Sequence, residues 1–391
     1  MSDALPFIFD VHLDLAMNAL EFNRDLRWTQ ERIRRRELDM NDVAYRSRHT
    51  VCFPEMRRGR VGLCVATQLA RYVPYFSRMY GWASQEQAWA HTQGQLAWYR
   101  EMELCGEMRQ IRNLAELEEH LTRWNVPSPA GAAPGGKKEM GPARKQAKPA
   151  QKRSGQAAAG PLPIGYILSL EGADSIVTPH HLERAFADGL RAIGLTHYGP
   201  GVYGSGTDDE GPLTARGREL LREVERLGLI LDATHLCDQS FWDAMDHYSG
   251  PVWASHSNCR ALAHWNRQFD DNQIRELVRR GAVIGMAFDA IMMVHGWHWK
   301  KSTPKEFDLR IEKICEHIDH ICQLAGNARH VGIGTDLDGG FGTEQMPMDL
   351  QSIADLQKLN GLLGARGYQK AEIEGIFNGN FLGFLRRTWK R

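Results

Sequence analysis

Apolar and polar positions along this chain fall into two alternating rhythms. Short runs rich in Val, Ile, Leu and Phe recur at residues 6–12, 62–69, 164–170, 191–196, 229–234, 251–255, 282–288 and 330–335. Their length and β-branched content predict strands. Between them lie stretches with apolar residues every three or four positions, as at 213–227, 272–280 and 309–325, which predict amphipathic helices. Strand runs separated by helices predict a parallel sheet, and eight of them is the number that closes a (β/α)8 barrel. An open doubly wound sheet has the same alternation. No G-x-G-x-x-G follows the first strand and no G-x-x-x-x-G-K-[ST] occurs, which weakens a nucleotide-binding reading of that alternative.

Residues 127–163 follow neither rhythm. They are full of Pro, Gly, Ala and Lys and nearly free of large apolar residues, so burial cannot offset the entropy of ordering them. The expectation is one domain over 1–391, interrupted by a flexible insertion at 127–163. The insertion carries seven basic residues (Lys137, Lys138, Arg144, Lys145, Lys148, Lys152, Arg153) and one acid, Glu139. Its composition favours a solvated surface segment over a tether for a polyanion. The whole chain balances 48 Lys+Arg against 48 Asp+Glu, a sum of 7 − 1 = +6 in the insertion and −6 elsewhere. That balance gives no general pull toward nucleic acid or anionic membrane.

The rest of the composition narrows the class without changing it. The 391 residues, 42% hydrophobic and 25% charged, suit a soluble globular protein with a large core. No run approaches the roughly 20 apolar residues of a membrane span. Seven cysteines, an odd number without a C-x-x-C pair, read as reduced thiols, and a cytoplasmic location is expected.

Chemistry gathers at the ends of the strand runs, where barrels place their active sites. The first run ends Phe9-Asp10-Val11-His12-Leu13-Asp14, the third Ser169-Leu170-Glu171-Gly172 and the fourth Leu195-Thr196-His197. The next end Ala233-Thr234-His235 and Ala254-Ser255-His256, and the last ends Thr335-Asp336-Leu337-Asp338-Gly339. His12 and Asp14, two apart on an extended segment, point to one face. His235 and His256 add two imidazoles, and Glu171 adds a carboxylate able to bridge two ions. Three His, one Asp and one Glu without a thiolate suit Zn²⁺ or a similar divalent ion with positions open to water. Two such ions about 3.5 Å apart form a common hydrolytic arrangement.

In these blocks the sequence resembles the membrane (renal) dipeptidases and their bacterial relatives, in the amidohydrolase superfamily. FDVHLDLAMNAL stands where the family commonly reads D-G-H-N-D-L. LSLEGADSI, LRAIGLTHYGPGVYGSG, LTARGRELLREVERLGLILDATHLCDQSFWDAM, PVWASHSNCRAL, RQFDDNQIRELVRRGAVIGM and HVGIGTDLDG follow in order. Val11 and Leu13 depart from the usual residues and leave the ligands intact. The resemblance implies a distorted (β/α)8 barrel and a dipeptidase with two zinc ions per subunit, bridged by Glu171 and a hydroxide. It places His12, Asp14 and Glu171 on one zinc, and His235 and His256 with Glu171 on the other. His197 corresponds to a residue that contacts the substrate carbonyl and the developing oxyanion, and Arg267 to one that binds the substrate carboxylate. Asp336 corresponds to the acid that binds the substrate amino group and shuttles protons. The implied substrate is a small dipeptide, with a D-residue accepted at the second position, and family members are often homodimers.

Other features carry less. Residues 23–26 and Arg71 follow the first two strands, where they could line a pocket; Arg71 could meet an acidic substrate side chain, but the sequence favours a solvated or structural arginine there. Trp297, His298 and Trp299 fit a substrate-facing loop or a dimer contact. Cys237 and Cys259 fit core packing, and Asp338 a supporting layer or a cap. A hydrolase of another small amide, such as an N-acyl amino acid, is the alternative reading. A non-catalytic metal-binding accessory protein is a third, and the complete ligand set argues against it.

Overall fold

The computed structural model describes residues 5–73, 80–126 and 160–389, so most of the expected insertion lies outside the described residues. The described chain folds as a (β/α)8 barrel. Its strands are β1 (Ile8–Leu13), β2 (Val61–Leu69), β3 (Met108–Gln110), β4 (Ile164–Glu171), β5 (Leu190–Gly194), β6 (Ile230–Asp232), β7 (Val252–Trp253), β8 (Ile284–Met286) and β9 (Val331–Ile333). Every pairing is parallel, in the order β7-β6-β5-β4-β2-β1-β9-β8. A parallel bridge between Ala254 and Ile284 joins the two ends of that path and closes the ring. At this seam the Ala254 amide donates to the Val283 carbonyl (3.1 Å) and the Gly285 amide to the Ala254 carbonyl (2.8 Å). Closure decides between the barrel and the open sheet that the strand count left standing.

The eight strands of the ring match the eight apolar runs. β3 was not expected from the pattern: its three residues MRQ bury only Met108, and it pairs with the start of β4 outside the ring. The wall is uneven. β1, β2 and β4 have six to nine residues, while β6 to β9 have two or three, which is the distortion.

Helices at Ala215–Leu227, Asp271–Arg279 and Lys313–Ala325 occupy the predicted amphipathic stretches. Thr214 caps the first through the Gly217 amide, and Gly228, at φ 67°, ends it in a conformation glycine adopts without strain. Asp270 and Gln273 form a capping box on the second. The third starts at Lys313 rather than 309, with the Ile311 amide bonded to Asp349 Oδ1 at 2.8 Å just before it. The C-terminal helix Asn380–Thr388 packs Phe381 edge-on against Phe9 and Trp253, joining β1 and β7 to the outer layer. Among the described residues no helix is long and apolar enough to cross a membrane. Cys237 and Cys259 are buried, their thiols against the carbonyls of Gly211 and His317.

Candidate metal centre

The side chains singled out at the strand ends converge in space. His12 lies within β1, and Asp14 follows its last residue at the start of helix Leu15–Leu20. Glu171 is the last residue of β4. His197, His235, His256 and Asp336 each stand three residues beyond the end of β5, β6, β7 and β9. Glu171 Oε1 is the hub: His235 Nε2 lies at 3.0 Å, His256 Nε2 at 3.4 Å, His12 Nε2 at 3.6 Å and His197 Nε2 at 3.7 Å. Asp336 Oδ1 and Asp14 Oδ1 lie 3.8 and 3.9 Å from His12 Nε2. Three overlapping sets, His12–Asp14–Glu171, Glu171–His197–His235 and His12–His256–Asp336, each bring their donor atoms within 4.8 Å of one another. His197 therefore reaches the same carboxylate oxygen as the expected ligands.

A layer of hydroxyls fixes the imidazoles. Thr207 Oγ1 meets His235 Nδ1 at 2.9 Å, and Ser255 Oγ meets His256 Nδ1 at 2.8 Å and His12 Nδ1 at 3.3 Å. The Thr67 hydroxyl bonds Asp14. With each of these Nδ1 atoms against a hydroxyl, Nε2 is the nitrogen turned to the centre, the arrangement that orients metal-binding imidazoles. The backbone of Ser255 packs against glycines, one in β8 and one just past β9. A Cβ at Gly285 or Gly334 would stand 1.9 or 1.8 Å from the Ser255 carbonyl oxygen. Deeper still, Asp10 accepts from the Thr335 amide at 2.9 Å and from its hydroxyl, and Asp232 accepts from the Thr234 and Ser255 amides. His235 and Asp336 hold φ values of 69° and 57°, local strain that is common at functional sites.

The donors fit a divalent cation. His12 Nε2 is buried without a hydrogen-bond partner, and His235 Nε2 and His256 Nε2 face each other at 3.2 Å. Burial, with the Arg267 charge behind it, holds His12 down at about 3. Burial likewise keeps His197, His235 and His256 well below the usual imidazole range. It lifts Asp14 to about 6, and it lifts Glu171 and Asp336 well above the carboxylate range, with Asp14 adding to both. Neutral imidazole is the form that binds a metal, and a nearby dication reverses the penalty on the carboxylates.

Around this cluster the supporting residues divide sharply. Arg267, 4% exposed, donates to Ser257 Oγ at 3.2 Å and to the His256 carbonyl at 2.8 Å, and pairs with no carboxylate among the described residues. Arg24, also buried, bonds Glu37 through two nitrogens, Asn18 Oδ1 at 2.7 Å and the Tyr45 carbonyl at 3.1 Å. It braces the structure rather than lining a pocket. Asn18 donates in turn to the Asp338 carbonyl, and the Asp338 carboxylate accepts from the Thr50 amide and hydroxyl and the Val51 amide. Asp338 is thus a tie between loops. Trp297 is buried against Phe307, while Trp299 is exposed under Lys300.

Sequence reasoning missed the hydroxyl layer and two neighbours of Arg267. Tyr198 lies edge-on to His197 and His235, and the half-buried Asp289 is lifted by burial to about 7. Ser255 had a signal, being the residue before His256. Thr67 and Thr207 had none, because their contacts cross between strands.

A family model described as membrane dipeptidase (peptidase family M19) matches residues 144–390. β1 and β2, with His12 and Asp14, precede the matched segment. The chain is 32% identical over 219 residues to an uncharacterised protein in the pqqA 5′ region of Klebsiella pneumoniae, covering 54% of this chain and 76% of that one. It is 27% identical over 232 residues to an uncharacterised dipeptidase of Schizosaccharomyces pombe, covering 58% of this chain and 53% of that one. The chain thus spans about half the length of the yeast relative. A metallo peptidase from Rhodobacter sphaeroides, crystallised with a phosphinate mimic of the dipeptide L-Ala-D-Ala, has the same fold. It superposes with a TM-score of 0.72 over 99% of this chain and 100% of that one, at 20% identity.

Proposed function

The chain belongs to the membrane dipeptidase family, peptidase family M19, and from that premise we propose that it hydrolyses the peptide bond of dipeptides at a pair of zinc ions. His12, Asp14 and Glu171 would hold one ion, and His235 and His256 the other, with Glu171 shared. When bound, the pair would lower the pKa of a shared water toward neutrality and so supply the nucleophile.

This chain's own residues do the rest. Arg267 offers a planar fork to the free carboxylate of the substrate. Its buried guanidinium without a carboxylate partner is the observation that carries the reading, because an unpaired buried cation is costly unless an anion arrives. A carboxylate held at a fixed distance from the scissile bond admits dipeptides and disfavours longer peptides. His197, neutral through burial, donates toward the carbonyl oxygen, a contact worth about 3–4 kcal/mol in comparable sites. Asp336, whose carboxyl is raised by burial and by Asp14 and Glu171, takes a proton and passes it to the leaving amine. The Rhodobacter protein's ligand mimics L-Ala-D-Ala, which supports a D-residue at the second position here.

Metal analysis with a dipeptide panel of both stereochemistries tests the reading. Glu171→Gln is expected to lose most of the bound metal and to lower turnover by on the order of 10³-fold. Unchanged turnover in that variant would refute the role of Glu171. An N-acyl amino acid also presents a free carboxylate to Arg267. Two equivalents of zinc with cleavage of N-acyl amino acids and of no dipeptide would favour that second reading.

A further inference from the structure

Resting on the dipeptidase reading, we infer that Arg71 selects dipeptides whose amino-terminal residue bears an acidic side chain. Arg71 lies two residues beyond β2, whose last residue, Leu69, pairs in register with Glu171. Its backbone is fixed at the mouth of the barrel. The Arg71 carbonyl accepts from the Trp82 amide at 2.8 Å, Tyr72 bridges to Trp82, and the Tyr72 amide donates to Asp174 Oδ2 at 3.1 Å.

The side chain is half-buried, two residues past the strand end that pairs with Glu171. His197 is held low first by burial and next by the Arg71 charge. Yet the guanidinium forms no side-chain hydrogen bond or ion pair with any described residue. The two carboxylates nearest to hand are already engaged. Asp174 receives the Tyr72 and Val202 amides on its two oxygens, and Glu171 Oε1 is ringed by four imidazoles.

The ring order supplies the direction. Arg267 follows β7 and Arg71 follows β2, and these strands stand opposite each other in the eight-strand ring. A dipeptide whose terminal carboxylate sits at Arg267 therefore extends its amino-terminal residue toward Arg71. The wall on the Arg267 side is acidic: a cavity of about 420 Å³ is lined by Thr207, Asp208, Asp209, Glu210, Trp265 and Asn266. It repels a second carboxylate there and leaves the Arg71 side as the place for one. A guanidinium pairs with a side-chain carboxylate through two parallel hydrogen bonds, and an amide isostere lacks the charge.

The test compares kcat/KM for Glu-Ala and Gln-Ala, with Ala-Glu and Ala-Gln as the control pair. The wild-type protein is expected to favour Glu-Ala by about tenfold or more. Arg71→Met should bring that ratio to about one, Arg71→Lys should keep part of it, and Arg71→Glu should turn the preference toward Lys-Ala. A wild-type ratio near one, a ratio unmoved in Arg71→Met, or a preference confined to Ala-Glu overturns the inference. Arg71→Lys and the wild-type ratio serve where Arg71→Met does not fold. Cleavage of these dipeptides without a preference for Glu sinks this inference alone. Cleavage of none sinks the dipeptidase reading and this inference with it.

Discussion

Arg24 and Arg267 are both buried near the same rim of the barrel, and their surroundings are opposite. Arg24 spends its donors on Glu37, Asn18 and Tyr45, and Arg46 and the Ser47 amide complete the shell of Glu37. Arg267 has a serine hydroxyl and a carbonyl and forms no ion pair among the described residues. A buried charge with every donor satisfied is structural, whereas Arg267, left without an ion pair, is the one we propose to meet the substrate carboxylate. The same division separates Asp338, saturated by Thr50 and Val51, from Asp336, which faces the cluster with a raised carboxyl.

That contrast can be broken by substitution. Arg24→Met should cost about 3–5 kcal/mol of stability, since it strips Glu37 of a buried partner, and denaturant unfolding reads the loss. Arg267→Met should leave the unfolding midpoint and the bound metal nearly unchanged while lowering kcat/KM on dipeptides by about 3 kcal/mol, or on the order of 10²-fold. An equal loss of stability in both variants would erase the distinction. Asp174 tests an intermediate case. Burial lifts its carboxyl to about 6 against the opposing pull of the Val202 and Tyr72 amides. Because the folded value exceeds the unfolded one, its contribution is full below about pH 4 and is lost as pH rises through about 6. Asp174→Asn should therefore flatten the dependence of stability on pH between 4 and 7, by up to roughly 3 kcal/mol, as urea midpoints across that range would reveal. Ser255→Ala, which removes the hydroxyl between His12 and His256, should weaken metal binding by about 10- to 100-fold with little effect on the fold, measured by competition with a chelator.

Much of this was legible in the chain because the fold and the site share one grammar. Six of the eight apolar runs of the ring end in polar site candidates, so finding the strands also found Glu171, His197, His235, His256 and Asp336 at one end of the barrel. The closure at Ala254 was not legible, since a single bridge leaves no periodic trace. β3 was too short and too polar to register. The bracing network was hidden by sequence distance: Thr50 and Asp338 are 288 residues apart, and no local pattern marks either as the other's neighbour. For the same reason residues 23–26 looked like pocket lining, although the Arg24 guanidinium turns to Glu37. The pattern names which residues are polar and buried, but only the fold decides which of them are already satisfied.

The seam between β7 and β8 has a further consequence. β2 and β4 pair continuously from Leu63–Gly165 to Leu69–Glu171, whereas β7 and β8 touch through one bridge and the amides of Ala254, Gly285 and Ser257. Such a joint is where a wall opens first. His256 hangs from β7 just past that joint, and its companions His12 and Asp336 come from β1 and β9, on the far side of β8. Two ions sharing Glu171, one held by His12 and the other by His256, would together act as a clasp across β8. Their removal by chelation should then speed hydrogen exchange at Ala254, Ser257 and Gly285 while the amides of β2 and β4 stay protected.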